Sequence, residues 1–138
     1  MGNQADTAAD AGSGLRKVLL VDDEAGILDL FGMILRNAGY SVRTAFNGAA
    51  GLRLFESAAW DLVITDRKMP EMDGERLAQE IKDIAPKTPL ILITGFGAEP
   101  RPGLFEAVLR KPFSKAALLD VVEDVLVEVA PVTPRAEA

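Results

Sequence analysis

Neither cysteine nor histidine occurs in the 138 residues of this chain. Without thiols there can be no disulfide, thiolate nucleophile or zinc–thiolate centre. Without imidazole the commonest general base and the commonest transition-metal ligand are also missing. Any chemistry must therefore be done by carboxylates, Lys or Arg, hydroxyls and a hard cation bound through oxygen. Long apolar runs are lacking too. The longest, such as residues 18–21 and 90–93, fall far short of the roughly 20 residues that a membrane helix needs, so no membrane association is expected. Positive charge is in deficit, with 15 Lys and Arg against 21 Asp and Glu and a net charge of −6. Such a balance repels phosphate backbones, and direct nucleic-acid binding is not expected. The opening Met1-Gly2-Asn3-Gln4-Ala5-Asp6 offers neither the apolar stretch of a secretion signal nor a myristoylation pattern, which predicts a soluble cytoplasmic protein.

What is present is sufficient for one domain: 49% of the residues are hydrophobic, enough for a full core at this length. Residues 1–14 lack periodicity and read as a disordered arm, 15–130 as the domain, and 131–138 as a flexible tail. Continuous apolar runs at 17–21, 61–65 and 89–94 are expected to be strands covered on both faces, with shorter strands at 41–45 and 107–110. Helical spacing joins Ile27, Leu30, Phe31, Ile34 and Ala38. Asn47 opens a second helix bearing Ala50, Leu52, Leu54 and Phe55, and Asp73-Gly74 leads into a third with Leu77, Ile81 and Ile84. A last helix is expected from Ser114 to Val129. Its stripes, Leu118, Val122, Val125 and Val129 beside Leu119 and Leu126, suggest deep core contact. Trp60 is expected to pack rather than to stack on a ligand.

Strands alternating with helices predict an α/β fold with a five-stranded, doubly wound parallel sheet. The expected order, 2-1-3-4-5, is a common one for such sheets and does not follow from the alternation itself. Function in such sheets sits beyond the carboxyl ends of the strands. Those ends carry Asp22-Asp23-Glu24, Asp66, Thr94 and Lys111. Each has an ordinary structural use: helix capping for the Asp pair, a turn for Asp66, β-propensity for Thr94, a solvated charge for Lys111. Together they form a constellation. Three carboxylates converging on one crevice repel one another, and a divalent cation resolves the conflict; oxygen-only ligands favour Mg²⁺. Asp66 then becomes a carboxylate nucleophile beside a Lewis acid, with a hydroxyl and an ammonium nearby, the parts that phosphoryl transfer requires. Gly12-Ser13-Gly14 and Gly95-Phe96-Gly97 lack the spacing of a phosphate loop, so no ATP site is expected.

The segments Val18-Leu19-Leu20-Val21-Asp22-Asp23-Glu24, Leu62-Val63-Ile64-Thr65-Asp66-Arg67-Lys68-Met69-Pro70-Glu71-Met72-Asp73-Gly74, Ile93-Thr94-Gly95 and Lys111-Pro112-Phe113 resemble the CheY-like receiver domains of response regulators in two-component signalling. The likeness covers roughly residues 16–129. It implies a flavodoxin-like fold in which Asp66 is the phosphoacceptor, Asp23 a direct Mg²⁺ ligand, and Asp22 a ligand acting largely through water. By the same resemblance Lys68 offers its backbone carbonyl to the metal, while Thr94 and Lys111 meet the phosphoryl oxygens. The donor would be a phosphohistidine on a histidine kinase or histidine phosphotransfer protein. The domain would not be an enzyme toward outside substrates, catalysing only its own phosphorylation and slow dephosphorylation. Two other readings are a receiver segment of a hybrid histidine kinase and a pseudo-receiver that only binds protein, although a pseudo-receiver normally loses the acidic residues kept here. A haloacid-dehalogenase-type phosphatase would place Asp where Lys68 stands.

Two departures from the family pattern stand out. Val108 occupies the position, three before Lys111, where receivers commonly carry the aromatic that reports the state of the Thr. Only seventeen positions separate Thr94 from Lys111, and Gly97, Pro100, Pro102 and Gly103 fall among them. The fourth helix is therefore expected to be a stub or absent. Without it the common dimer face is lost, and a monomer or weak dimer is expected. A cis Lys111–Pro112 peptide is predicted, with Phe113 tucked against the sheet.

Overall fold

A computed structural model describes residues 14–95 and 97–129. The arm expected over 1–14, apart from Gly14, and the tail expected over 131–138 lie outside the described residues. The elements in chain order are β1 (Lys17–Val21), α1 (Ala25–Asn37), β2 (Ser41–Ala45), α2 (Gly48–Glu56), β3 (Leu62–Asp66), α3 (Gly74–Ile84), β4 (Leu90–Thr94), β5 (Ala107–Arg110) and α4 (Lys115–Val129). All strands pair in parallel, in the order β2-β1-β3-β4-β5. The expected topology is the observed one.

Side chains alternate across each strand, so every buried strand feeds two cores. Val18, Leu20, Ile64, Ile91, Ile93 and Leu109 meet α1 and α4 through Leu28, Phe31, Leu35, Leu118, Val122, Val125 and Leu126. Leu19, Val21, Val63 and Leu90 meet α2 and α3 through Phe55, Leu77, Ala78 and Ile81. Trp60 packs at the edge of that second core, and its indole N–H donates to the Leu54 carbonyl at 3.3 Å.

Some sequence expectations need correction. Asp61 precedes β3 rather than opening it, because its carboxylate accepts the Lys17 amide at 2.8 Å and ties off the start of β1. The buried arc of α1 is Leu28, Phe31, Gly32 and Leu35; Ile27 and Ile34 flank it, and Leu30 points outward. Ile84 is likewise exposed, at the last residue of α3. Helix starts were easier to read. Asn47 accepts the Ala50 amide at 2.7 Å, Asp73 the Arg76 amide at 2.9 Å, and Ser114 the Ala117 amide at 3.0 Å.

Among the described residues no helix joins β4 to β5. Leu104 fills the gap, buried in the second core with Phe105 half-buried beside it. The Lys111–Pro112 peptide is cis, as predicted. Phe113 does pack over the covered face of the sheet, but its immediate neighbour is a helix side chain: the ring lies 5.2 Å from that of Phe31. No helix among the described residues is long and apolar enough to cross a membrane.

Candidate functional site

The sheet register sets the site. Val21 pairs with Thr65, so Asp22 and Asp66 come one residue later on neighbouring strands. Asp66 pairs with Ile93, and Thr94 with Arg110, which brings Thr94 and then Lys111 to the same rim. The Lys111 amide donates to the Thr94 carbonyl at 2.8 Å, fixing the lysine's starting point above β4.

Carboxylate oxygens of Asp22, Asp23 and Asp66 all lie within 4.8 Å of one another. Asp22 and Asp66 are buried and Asp23 is exposed. The capping explanation of the Asp pair fails: the N-cap of α1 is Glu24, which makes no side-chain capping bond. Asp22 Oδ1 accepts the Glu24 amide at 2.9 Å, while its buried Oδ2 has no hydrogen-bond partner among the described residues. An orphaned carboxylate oxygen in an acidic trio fits a hard divalent cation, which takes oxygen ligands and cancels the repulsion.

On its other side Asp66 meets positive charge and donors. Lys111 Nζ stands 3.1 Å from Asp66 Oδ1, and the Lys68 amide donates to Asp66 Oδ2 at 3.1 Å. Asp66, Arg67, Lys68, Thr94, Gly95 and Lys111 line a cleft of about 300 Å³. Burial pushes the Asp22 carboxyl up to about 6; the Glu24 amide and Lys111 oppose the shift, whereas Asp66 and Asp23 reinforce it. Burial works against the Lys111 ammonium, but its hydrogen bond to Asp66 and the charges of Asp66, Asp22 and Glu24 outweigh that and raise it.

A family profile described as the response regulator receiver domain matches residues 18–123. The chain belongs to this family. It is 43% identical over 122 residues to the transcriptional regulatory protein GlrR of Escherichia coli K12, with 84% of this chain covered. That match spans only 27% of GlrR. The response regulator receiver protein CpdR of Brucella abortus is 32% identical over 82% of this chain and 98% of its own length. Among solved structures, the response regulator TrrA of Thermotoga maritima, in complex with Mg²⁺-BeF, matches with a TM-score of 0.76 at 31% identity. That likeness covers 80% of this chain and 99% of TrrA.

The receiver residues expected from sequence thus converge: Asp22, Asp23 and Asp66 in the acidic trio, and Lys68, Thr94 and Lys111 along the cleft. Val108 sits half-buried on β5 opposite Leu92, with no aromatic ring at that point. Two residues escaped the sequence reading. The Arg67 guanidinium donates to the Ala98 carbonyl at 2.6 Å and pairs with Glu75 at 3.3 Å, and Glu75 also accepts the Arg101 amide at 3.0 Å. No periodicity or motif spacing announces these contacts, which depend on how residues 97–101 meet the end of β3 and the first turn of α3.

The raised Asp22 gives a pH signature. In metal-free protein the native state holds this proton up to about 6, whereas the unfolded chain releases it near 3.8. Across that window the native state binds more protons, so stability falls as pH rises, by at most about 3 kcal/mol. Asp22→Asn keeps an acceptor for the Glu24 amide and removes the titration. In EDTA the variant should match the parent at about pH 4 and melt progressively higher than it up to about pH 7. A melting difference that is constant across this range would show that Asp22 titrates normally.

Proposed function

We propose that this receiver domain takes a phosphoryl group onto Asp66, in the presence of Mg²⁺, from a phosphohistidine of a histidine kinase or histidine phosphotransfer protein. The observation that carries the proposal is the placement of one buried carboxylate between an acidic trio and a cleft lined by Lys111 and Thr94. A carboxylate oxygen of Asp66 forms the new bond to phosphorus as the phosphorus–nitrogen bond of the donor breaks. The released imidazole keeps the electron pair and takes a proton from solvent. Lys111 balances the growing charge on the phosphoryl oxygens, Thr94 supplies a hydroxyl donor, and the Lys68 amide keeps Asp66 oriented. Asp22, Asp23, Asp66 and the Lys68 backbone carbonyl would hold the metal. When bound, Mg²⁺ neutralises the acidic trio and draws charge from the phosphoryl oxygens. The Mg²⁺-BeF complex of TrrA supports the same ligand chemistry here.

The domain turns over no outside substrate, and its acyl phosphate is lost slowly to water. It works in the cytoplasm as a monomer or weak dimer, and signals by conformational change or by passing the phosphoryl group on. The chain spans about a quarter of the length of GlrR.

Acetyl phosphate with Mg²⁺ should add one phosphoryl group per chain by intact mass, and hydroxylamine should release it as expected of an acyl phosphate. EDTA should prevent the labelling. Absence of label at millimolar Mg²⁺, or a label resistant to hydroxylamine, would overturn the assignment.

A further inference from the structure

Arg67 faces two ways. Immediately after Asp66, it lines the cleft into which a phosphoryl group would project. Its guanidinium also holds the chain that replaces the missing helix: Nη1 donates to the Ala98 carbonyl at 2.6 Å, and Nη2 meets Glu75 Oε2 at 3.3 Å. The same Glu75 oxygen accepts the Arg101 amide at 3.0 Å. Gly97 passes so near that a Cβ there would lie 3.5 Å from Nη1, and its φ of +130° suits glycine. Residues 97–101 are thus fastened to the first turn of α3 through one arginine and one glutamate. Both side chains are largely covered, at 16% and 22% exposure, so the pair is less screened than a surface ion pair.

We propose that Arg67 is a phosphorylation-sensitive latch, closed on Ala98 and Glu75 when Asp66 is free and opened when Asp66 carries a phosphoryl group. The inference rests on the phosphoacceptor reading and extends it. Phosphorylation adds negative charge and strong acceptor oxygens to the cleft that Arg67 already lines. A guanidinium has five donors and favours bidentate phosphoryl contacts over a neutral carbonyl such as that of Ala98. Once Arg67 turns to the phosphoryl oxygens, Ala98 loses its donor, Glu75 loses its cation, and residues 97–101 come free of α3. A path of this kind needs no rotating ring, and Val108 supplies none.

Two amides report the two events separately. The Lys68 amide, bonded to Asp66, senses occupancy of the site, and the Arg101 amide, bonded to Glu75, senses the latch. Amide NMR with and without Mg²⁺ and beryllofluoride, a phosphoryl mimic, reads both. In the parent protein the mimic should shift the Lys68 signal and speed Arg101 exchange by about tenfold. In Arg67→Met, Lys68 should still shift, whereas Arg101 exchange should be fast beforehand and unchanged by the mimic. Glu75→Gln, which weakens the latch from the other side, should also raise Arg101 exchange in the mimic-free protein. A Lys68 signal indifferent to the mimic in the parent would overturn the phosphoacceptor reading, and the latch with it. A Lys68 shift accompanied by the same Arg101 response in Arg67→Met as in the parent would overturn the latch alone.

Discussion

Asp66→Asn should lower labelling by acetyl phosphate at least a thousandfold, equivalent to about 4 kcal/mol of added barrier, with the fold intact. The amide is nearly the same shape and can still accept the Lys68 hydrogen bond, so β3 and the loop after it keep their course. Its oxygen is a far poorer nucleophile than a carboxylate, and Lys111 loses its charge partner. The substitution also removes one of the charges that raise Asp22, whose pKa should fall below its present value of about 6. Intact mass reads the first effect and a pH titration of stability in EDTA reads the second. Full labelling of the variant would move the acceptor elsewhere.

Gly74→Ala should be the most damaging small substitution near the site. A Cβ at this position would collide with the Asp66 carbonyl and lie 3.0 Å from Arg67 Cα, both of them backbone atoms that cannot swing aside. The Gly74 amide donates to the Arg67 carbonyl at 2.8 Å, so the start of α3 is drawn hard against the end of β3. Relief requires moving either the helix or the strand end that carries Asp66. A cost of about 2–4 kcal/mol is expected, lowering Tm by about 10 °C, and labelling should slow as Asp66 shifts. Gly95→Ala is the control: it also borders the cleft, but a Cβ there meets nothing within 4 Å. If the two variants melt alike, the tight approach at Gly74 is not what holds the loop.

Strands and strand ends were the most legible part of the sequence. A parallel strand covered on both faces reads as an unbroken apolar run, and the residue at its end stands out by contrast. Asp22, Asp66, Thr94 and Lys111 were found in this way. Helix faces were less legible, because apolar spacing leaves an arc free to rotate by about one residue. Leu30 and Ile84 were misplaced for that reason, whereas Asn47 and Asp73 were placed correctly by their capping chemistry. The Arg67–Glu75 contact lay beyond reach, since nothing in the spacing of the two residues says that the side chain after β3 turns back onto the first turn of α3. The size of the Asp22 shift was likewise unreadable, because it reflects first how deeply the end of β1 is covered, with the charges of Asp66 and Asp23 adding to that burial.

The short crossing from β4 to β5 also makes the domain a natural host for inserted chain. Between residues 97–101, fastened by Arg67 and Glu75, and the buried Leu104 lie Pro102 and Gly103, both exposed. Loop closure is a slow function of length, each doubling costing only about 0.6 kcal/mol. A fluorescent module spliced between Pro102 and Gly103 would leave both anchors seated and would ride on a stretch tied through Arg67 to the acceptor cleft, which would turn the domain into an optical sensor.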